Sequence, residues 1–431
     1  MKIAIFSENS STNYSGGRYH SFMMAEAMAH AGHIVHYITN VLPIFYNDFS
    51  TFDHHQDVKI CISPSFWFGL PEGLFDFVFI IPSLTHNMSF FLKVLYFAEK
   101  RKARLALLNF ETPNWYNSLS PVKRKLSLWR SWELIASRTS LILSSSKEGD
   151  RYARTFFDNS DNHSEFDYCY PSINDIVADK VNVKKEKKII IISRFKMATH
   201  KGSSDINRML CTEMEGYTLT LILGYGDIPI DVLDSLRKEA SKYNIEIDLK
   251  YKLSDHDKFK EIKSASLMLF PSTFEGFGYP PIEAQYCNVP CIAFDLPVLK
   301  EVNGDGLIYV KYGDYDQFRA VIGQVLNSEK DYSHLKENIY EVASFEIYTK
   351  RLDAILRKTL NGPTIDNIPF PYFKFIGKGC LIYLITIGNR FYELLFPLLK
   401  LAFSITFPLY IIGMIFLKRI LSKGISLFKG R

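Results

Sequence analysis

Two acids, Glu275 and Glu283, stand eight positions apart in Pro271-Ser272-Thr273-Phe274-Glu275-Gly276-Phe277-Gly278-Tyr279-Pro280-Pro281-Ile282-Glu283-Ala284. A strand-like apolar run precedes this segment and a helix pattern follows it. Gly276 and Gly278 let the backbone approach a ligand closely. Pro280 or Pro281 suits a first helical turn, whose free N–H groups make an anion site. Glu283, inside the helix, points back toward that end, where a carboxylate can accept two hydroxyl hydrogen bonds from a ribose. Glu275, in the loop, lies nearer the reacting group. A strand–helix turn with incidental glutamates is the competing reading, and Gly-Phe-Gly-Tyr-Pro-Pro at a strand end argues against it.

Other candidates also sit where strands end. Arg194 and Lys201 occur in Ile192-Ser193-Arg194-Phe195 and His200-Lys201-Gly202. Singly they read as a strand-end ion pair and a solvated loop charge. Gly16-Gly17 ends a polar loop after the first strand, a weak signal that an ordinary turn would also give. Glu111 follows Leu107-Leu108-Asn109-Phe110; it reads as a charge at a helix N-terminus or as a group that orients or deprotonates a hydroxyl. His86, after Pro82-Ser83-Leu84-Thr85, reads as a surface-loop residue or a second cleft residue.

The elements around these residues alternate. Lys2–Phe6 and Ile34–Ile38 are strand-like and flank a helix pattern from Arg18 to Ala31, a βαβ unit of a parallel sheet. Further strand-like runs are Phe75–Ile81, Leu105–Phe110 and Leu141–Ser144. The pattern restarts after the polar, charged stretch ending Lys-Lys-Glu-Lys-Lys. Lys188–Ser193, Tyr217–Leu223, Ile245–Tyr251, Ala265–Phe270, Pro290–Phe294 and Leu307–Val310 then read as strands. Two such sets imply two doubly wound sheets with a cleft between them. The chain divides into 1–172, a linker 173–187, a second domain 188–342, a helix 343–360 and a tail 361–431.

The net charge of +5 is unevenly placed. The tail holds nine basic residues and two acidic ones, +7, so the rest of the chain is −2. Positive charge within an apolar tail fits an anionic membrane face and not nucleic acid, which asks for a basic stripe on a folded domain. Leu394–Leu417 carries only Lys400 and is long enough to span a bilayer. Five cations beyond it, together with Pro397 and Pro408, favour a re-entrant hairpin or interfacial helices over a full crossing. Tyr372, Tyr383, Tyr392 and Tyr410 would lie near headgroups. Met1 leads straight into a strand-like run, so no secretory signal is expected. Six scattered cysteines fit a reducing compartment; Cys287 and Cys291 have no second pair to complete a zinc site. The expectation is a body at the cytoplasmic face of the inner (plasma) membrane, peripheral or monotopic.

Glu275 to Glu283 resembles the E-x7-E motif of retaining GT-B glycosyltransferases, the group 1 transferases of bacterial polysaccharide type. Arg194 with Lys201-Gly202 resembles the same group's G-R-x…K-G segment, and Gly16-Gly17 its glycine-rich loop. The resemblance covers Met1 to about Leu360, diffuse in the first half and specific in the second. It implies an α/β GT-B fold, two Rossmann-like domains facing a cleft, here with a hydrophobic helical C-terminal tail. It also implies that Arg194 and Lys201 clamp the diphosphate of a UDP- or GDP-sugar. Gly16, Gly17, Gly276, Phe277 and Gly278 would line the donor, Glu283 bind its ribose and Glu275 lie by the transferred sugar. Two cations and a helix N-terminus can stabilise a leaving diphosphate without metal, and no cofactor is expected. Attachment of the tail 361–431 to a membrane surface makes a lipid-linked saccharide the expected acceptor. Many relatives carry a histidine where this chain has Glu111, which leaves a binding or scaffold protein with a degenerate GT-B body as the alternative.

Overall fold

The computed structural model describes residues 1–83, 88–120, 123–157, 164–195, 199–224 and 226–362. His86 and almost all of the 361–431 tail lie outside them. The described residues fall within one compact unit. No helix among them is long and apolar enough to cross a membrane.

The first sheet contains β1 (Lys2–Ser7), β2 (Ile34–Thr39), β3 (Val58–Ile62), β4 (Phe77–Ile81), β5 (Arg104–Asn109), β6 (Leu141–Ser144) and β7 (Glu165–Tyr168). The second contains β8 (Lys188–Ser193), β9 (Thr218–Leu223), β10 (Glu246–Tyr251), β11 (Leu267–Phe270), β12 (Cys291–Phe294) and β13 (Ile308–Val310). Their orders are β3-β2-β1-β4-β5-β6-β7 and β10-β9-β8-β11-β12-β13, and every pairing is parallel. The central strands are buried on both faces, which is why they read as unbroken apolar runs. Edge strands β3 and β7 are only partly buried. They carry no such run, so the sequence pattern did not mark them.

Each sheet reverses direction of winding once, between β1 and β4 and between β8 and β11. At these switch points neighbouring loops diverge and leave a crevice at the strands' C-terminal ends. The glycine loop follows β1, Arg194 follows β8, and segment 271–278 follows β11.

Two local features differ from the sequence reading. Gly16 and Gly17 open the helix Gly16–His30 instead of ending a loop. Stretch 173–187, read from its polar and charged residues as the interdomain linker, holds the helix Asp175–Lys180, capped by the Asn174 side chain. Ile173, Val177, Ala178 and Val181 sink into the second lobe's core, while the charged residues that dominated the pattern face outward. The last described helix, Phe345–Asn361, buries Phe345, Tyr348, Leu352 and Leu356 in the first lobe's core. Arg104 donates to the carbonyls of Leu360 and Gly362 at 2.9 Å.

The lobes meet along a packed seam. Trp115 and Tyr116 from helix Pro113–Leu119 lie edge-on to Phe274, centroids 5.3 and 4.8 Å away. The Glu301 carboxylate accepts the N–H groups of Lys147 and Glu148 at 2.7 and 2.8 Å. These open the helix Lys147–Phe157, where an anion complements the helix dipole.

Candidate functional site: a charged seam between the lobes

Segment 271–278 is laid down by glycines. Gly202 has φ +65°, and a Cβ there would stand 2.2 Å from the Pro271 carbonyl oxygen. The Lys201 loop can therefore lie flat on this segment, and the His200 carbonyl accepts Thr273 N–H at 2.7 Å. Gly276 approaches the other lobe as closely: a Cβ would meet the Phe110 carbonyl oxygen at 2.5 Å. The Gly276 carbonyl accepts Ser145 and Ser146 hydroxyls at 3.3 and 3.1 Å.

This framework gathers a first charged group. Lys201 Nζ donates to Glu275 Oε1 at 2.5 Å. Ser272 Oγ donates to the same oxygen at 2.6 Å. Burial lowers the Lys201 pKa; Glu275 opposes that, and neighbouring Arg194 adds to it. From the first lobe, Glu111 is paired with Arg124, whose guanidinium lies 3.6 Å over the Tyr116 ring. Burial pushes the Glu111 carboxyl up, against the pull of Arg124, Arg194 and Lys201. The same three cations add to burial in driving the His200 imidazole down to about 2, so it is neutral. Arg194 Nε is buried with no partner among the described residues. An orphaned guanidinium donor in a cationic crevice is poised for an anionic ligand.

A second group surrounds Glu283 in the helix Tyr279–Tyr286. Lys258 Nζ donates at 2.7 Å to both Glu283 Oε1 and Asp255 Oδ1. Asp255 also accepts from Asn174 at 2.9 Å and from the Tyr19 hydroxyl, and its N–H donates to Asp48 at 3.2 Å. Burial raises the Glu283 carboxyl; Lys258 opposes this and Asp255 reinforces it. Burial and then Asp255 push the Asp48 carboxyl up to about 7. Tyr14 reaches over from the first lobe, its N–H donating to Gly224 O at 2.9 Å. Burial raises the pKa of its hydroxyl, and the carboxylates Asp255 and Glu283 add to that.

The structure thus brings Glu111, Arg194, Lys201 and Glu275 together. It sets Glu283 in a neighbouring group, joined to the first by loop 271–278. Gly276 and Gly278 serve backbone approach; Gly278 has φ +95° at the helix start. Phe277 is a packing residue, stacked at 6.2 Å on Tyr170. A Cβ on Gly16 would sit 3.8 Å from Tyr279, and one on Gly17 would press to 3.1 Å from the Phe110 ring. A cavity of about 720 Å³ lined by Arg208, Tyr243, Tyr315 and Arg319 shares no residue with either group. Sequence reasoning missed Arg124, Lys258 and Tyr14. Nothing local marks Arg124 or Tyr14: Arg124 pairs with Glu111, 13 positions back, and Tyr14 meets Gly224 only across the folded seam. Lys258, three residues after Asp255, offered an ordinary helical-spacing signal.

Known proteins share this architecture. Over 83% of this chain and 98% of its own length, sucrose-phosphate synthase from Thermosynechococcus elongatus superposes with a TM-score of 0.61 at 14% identity. HepE of Anabaena, solved with UDP and glucose, covers 84% of this chain and 99% of its own, TM-score 0.59, at 15% identity. The fold is therefore of the GT-B type, two Rossmann-like sheets meeting across a seam. Residues 173–342 match the family Glycosyl transferases group 1. That segment carries β8 to β13, Arg194, Lys201, Glu275 and Glu283. The O-antigen chain mannosyltransferase RfbU of Salmonella typhimurium is 28% identical over 148 residues, 33% of this chain. The match spans only 40% of that relative's length.

Proposed function

We propose that the protein is a retaining, metal-independent glycosyltransferase that moves a hexose, mannose by its likeness to RfbU, from a UDP- or GDP-sugar to a saccharide acceptor. The observation that carries the reading is the convergence of Arg194, Lys201, Glu275 and Glu111 at the second sheet's switch point. The leaving diphosphate displaces Glu275 from Lys201 and takes up the free Arg194 donor, so charge that develops on departure meets cations already in place. Glu283 accepts the ribose hydroxyls and exchanges part of its Lys258 contact for them. Glu275, released, faces the transferred sugar. The acceptor attacks from the face the diphosphate leaves, and a diphosphate oxygen receives its proton, so no protein nucleophile is assigned. Glu111 orients the acceptor hydroxyl from the first lobe. The apolar, basic tail holds the enzyme at the cytoplasmic face of the plasma membrane, where a lipid-linked saccharide is the acceptor class in reach.

The test is a panel of UDP- and GDP-linked hexoses, scored for nucleoside diphosphate release with and without a chelator. One donor should turn over, unaffected by chelation, and its product should keep the donor's anomeric configuration by proton NMR. Binding of nucleotide without release of any sugar would favour the non-catalytic scaffold; inversion or chelator sensitivity would remove those parts of the reading.

A further inference from the structure

Segment 62–76, the last residue of β3 and the loop that joins it to β4, holds apolar side chains out of the fold. Phe68 is 75% exposed, Leu74 66%, Ile62 55% and Trp67 45%. Trp67 stacks on Tyr96 of the helix Met88–Lys100, centroids 5.3 Å apart and planes 28° from parallel. The loop is tied down beneath these tips. Ser63 Oγ donates to Phe68 O at 2.7 Å, and Lys93 Nζ donates to Ser65 O at 2.9 Å. Arg101 donates to Pro71 O at 3.1 Å. Phe66 is buried against Phe90 at 5.1 Å and takes φ +52°, a left-handed conformation that a bulky side chain adopts only when its surroundings impose it. The backbone is thus strained and anchored in a way that presents Trp67 and Phe68 to the outside.

Cations lie on the elements that flank the loop. Lys100 and Lys102 are exposed at the end of the helix, with Lys100 Nζ 5.6 Å over the Tyr96 ring. Lys59 is exposed on β3, in register with His36, and with Lys2 it lowers the His36 imidazole further after burial has done so. The acids in the same region are exposed Glu72, half-buried Glu99, and Asp76, which accepts the Lys2 N–H at 2.7 Å. Phe68, three-quarters exposed, protrudes; it does not line a pocket of the kind that anchors protein partners. Protruding Phe and Leu, a Trp–Tyr pair beside them and a rim of lysines match the layers of an anionic bilayer: acyl chains, headgroup boundary, phosphates. Ile62, where the loop begins, pairs in register with Thr39, and Thr39 with Ser7. The patch therefore starts on the strand row from which the glycine loop departs.

We propose that loop 62–76 and helix Met88–Lys100 form a membrane-docking surface for an anionic bilayer. Phe68 and Leu74 enter the acyl region, Trp67 and Tyr96 lie at headgroup depth, and Lys59, Lys100 and Lys102 face lipid phosphates. This contact is separate from the tail and does not depend on the transferase reading.

The chain has four tryptophans, and Trp115, Trp129 and Trp132 are no more than 2% exposed. Quenching of tryptophan fluorescence in the full chain, by phosphatidylglycerol-containing vesicles with brominated acyl chains, therefore reports on Trp67. Quenching should appear in the wild type and vanish in Trp67→Phe. It should need on the order of tenfold more lipid in Phe68→Ser/Leu74→Ser or in vesicles lacking anionic lipid. Equal quenching of wild type and Trp67→Phe would overturn the proposal, as would vesicles that sediment with the chain but leave Trp67 unquenched. The latter result would leave tail attachment standing. A Trp67 blue shift that follows protein concentration without lipid would assign the surface to a second copy and overturn the lipid assignment. Nucleoside diphosphate release from a sugar nucleotide, measured without vesicles, tests the transferase reading independently.

Discussion

Replacing Lys201 by Met removes the cation that Glu275 faces. Glu275 is left with the Ser272 hydroxyl on its Oε1 at 2.6 Å. Breaking a fully buried ion pair by removing one partner costs about 3–5 kcal/mol. Here the Lys201 side chain is 22% exposed and that of Glu275 8%, and one hydrogen bond survives, so a loss of about 2–3 kcal/mol is expected. Glu275→Gln relieves the stranded charge, so the double variant Lys201→Met/Glu275→Gln should recover all but about 1 kcal/mol, because uncharged replacements of a buried pair are often close to neutral. Urea unfolding of the four proteins measures this directly. Turnover should not recover: both Lys201 variants should fall at least tenfold, which is about 1.4 kcal/mol of transition-state stabilisation. Glu275→Gln alone should bind nucleoside diphosphate more tightly, since Lys201 no longer has an internal anion, yet turn over more slowly. Strictly additive stabilities would refute the pairing, and wild-type turnover in Lys201→Met would refute its part in donor use.

Four other outcomes follow from the same geometry. Glu283→Ala should lower donor use at least tenfold in steady-state kinetics, and it strands Lys258 beside Asp255 alone. Gly276→Ala drives a Cβ into the Phe110 carbonyl at 2.5 Å; thermal unfolding should show a loss of about 1–3 kcal/mol, with turnover falling as the lobes part. Asp48 has a folded pKa near 7, above the unfolded value, so its protonated form stabilises the fold at low pH and that contribution is lost as pH rises through 7. The stability of the wild type relative to Asp48→Asn should therefore decline between pH 4 and 7, and a flat difference would remove Asp48 from the cluster. Deleting residues 363–431 should reduce sedimentation with lipid without abolishing nucleotide binding, and undiminished sedimentation would place the main anchor elsewhere.

Much of the fold could be read because buried parallel strands write themselves as apolar runs, as Phe77–Ile81 and Leu267–Phe270 do. Edge strand β7, half-buried with the sequence Glu-Phe-Asp-Tyr, leaves no such trace. Helix Asp175–Lys180 was hidden because a short amphipathic helix can spend most of its letters on solvent. In the site, Glu275 and Glu283 were legible because glycine and proline punctuate the chain around them. Lys201 was marked by the glycine after it. Arg124 was illegible: its meaning arises only when its loop folds over Tyr116 and meets Glu111. Lys258 lay on a helix with ordinary charged spacing, and only tertiary packing carries it to Glu283, 25 positions on. Charges that act across a seam have no sequence period to betray them.

The central claim is that one nucleotide bridges the two charged groups. A crystal structure of the protein with the nucleoside diphosphate of its donor tests this most directly. The account predicts diphosphate oxygens within about 3 Å of Arg194 and Lys201, Glu275 released from Lys201, and ribose hydroxyls on the Glu283 carboxylate. A nucleotide bound elsewhere, with the Lys201–Glu275 and Lys258–Glu283 pairs undisturbed, would contradict it.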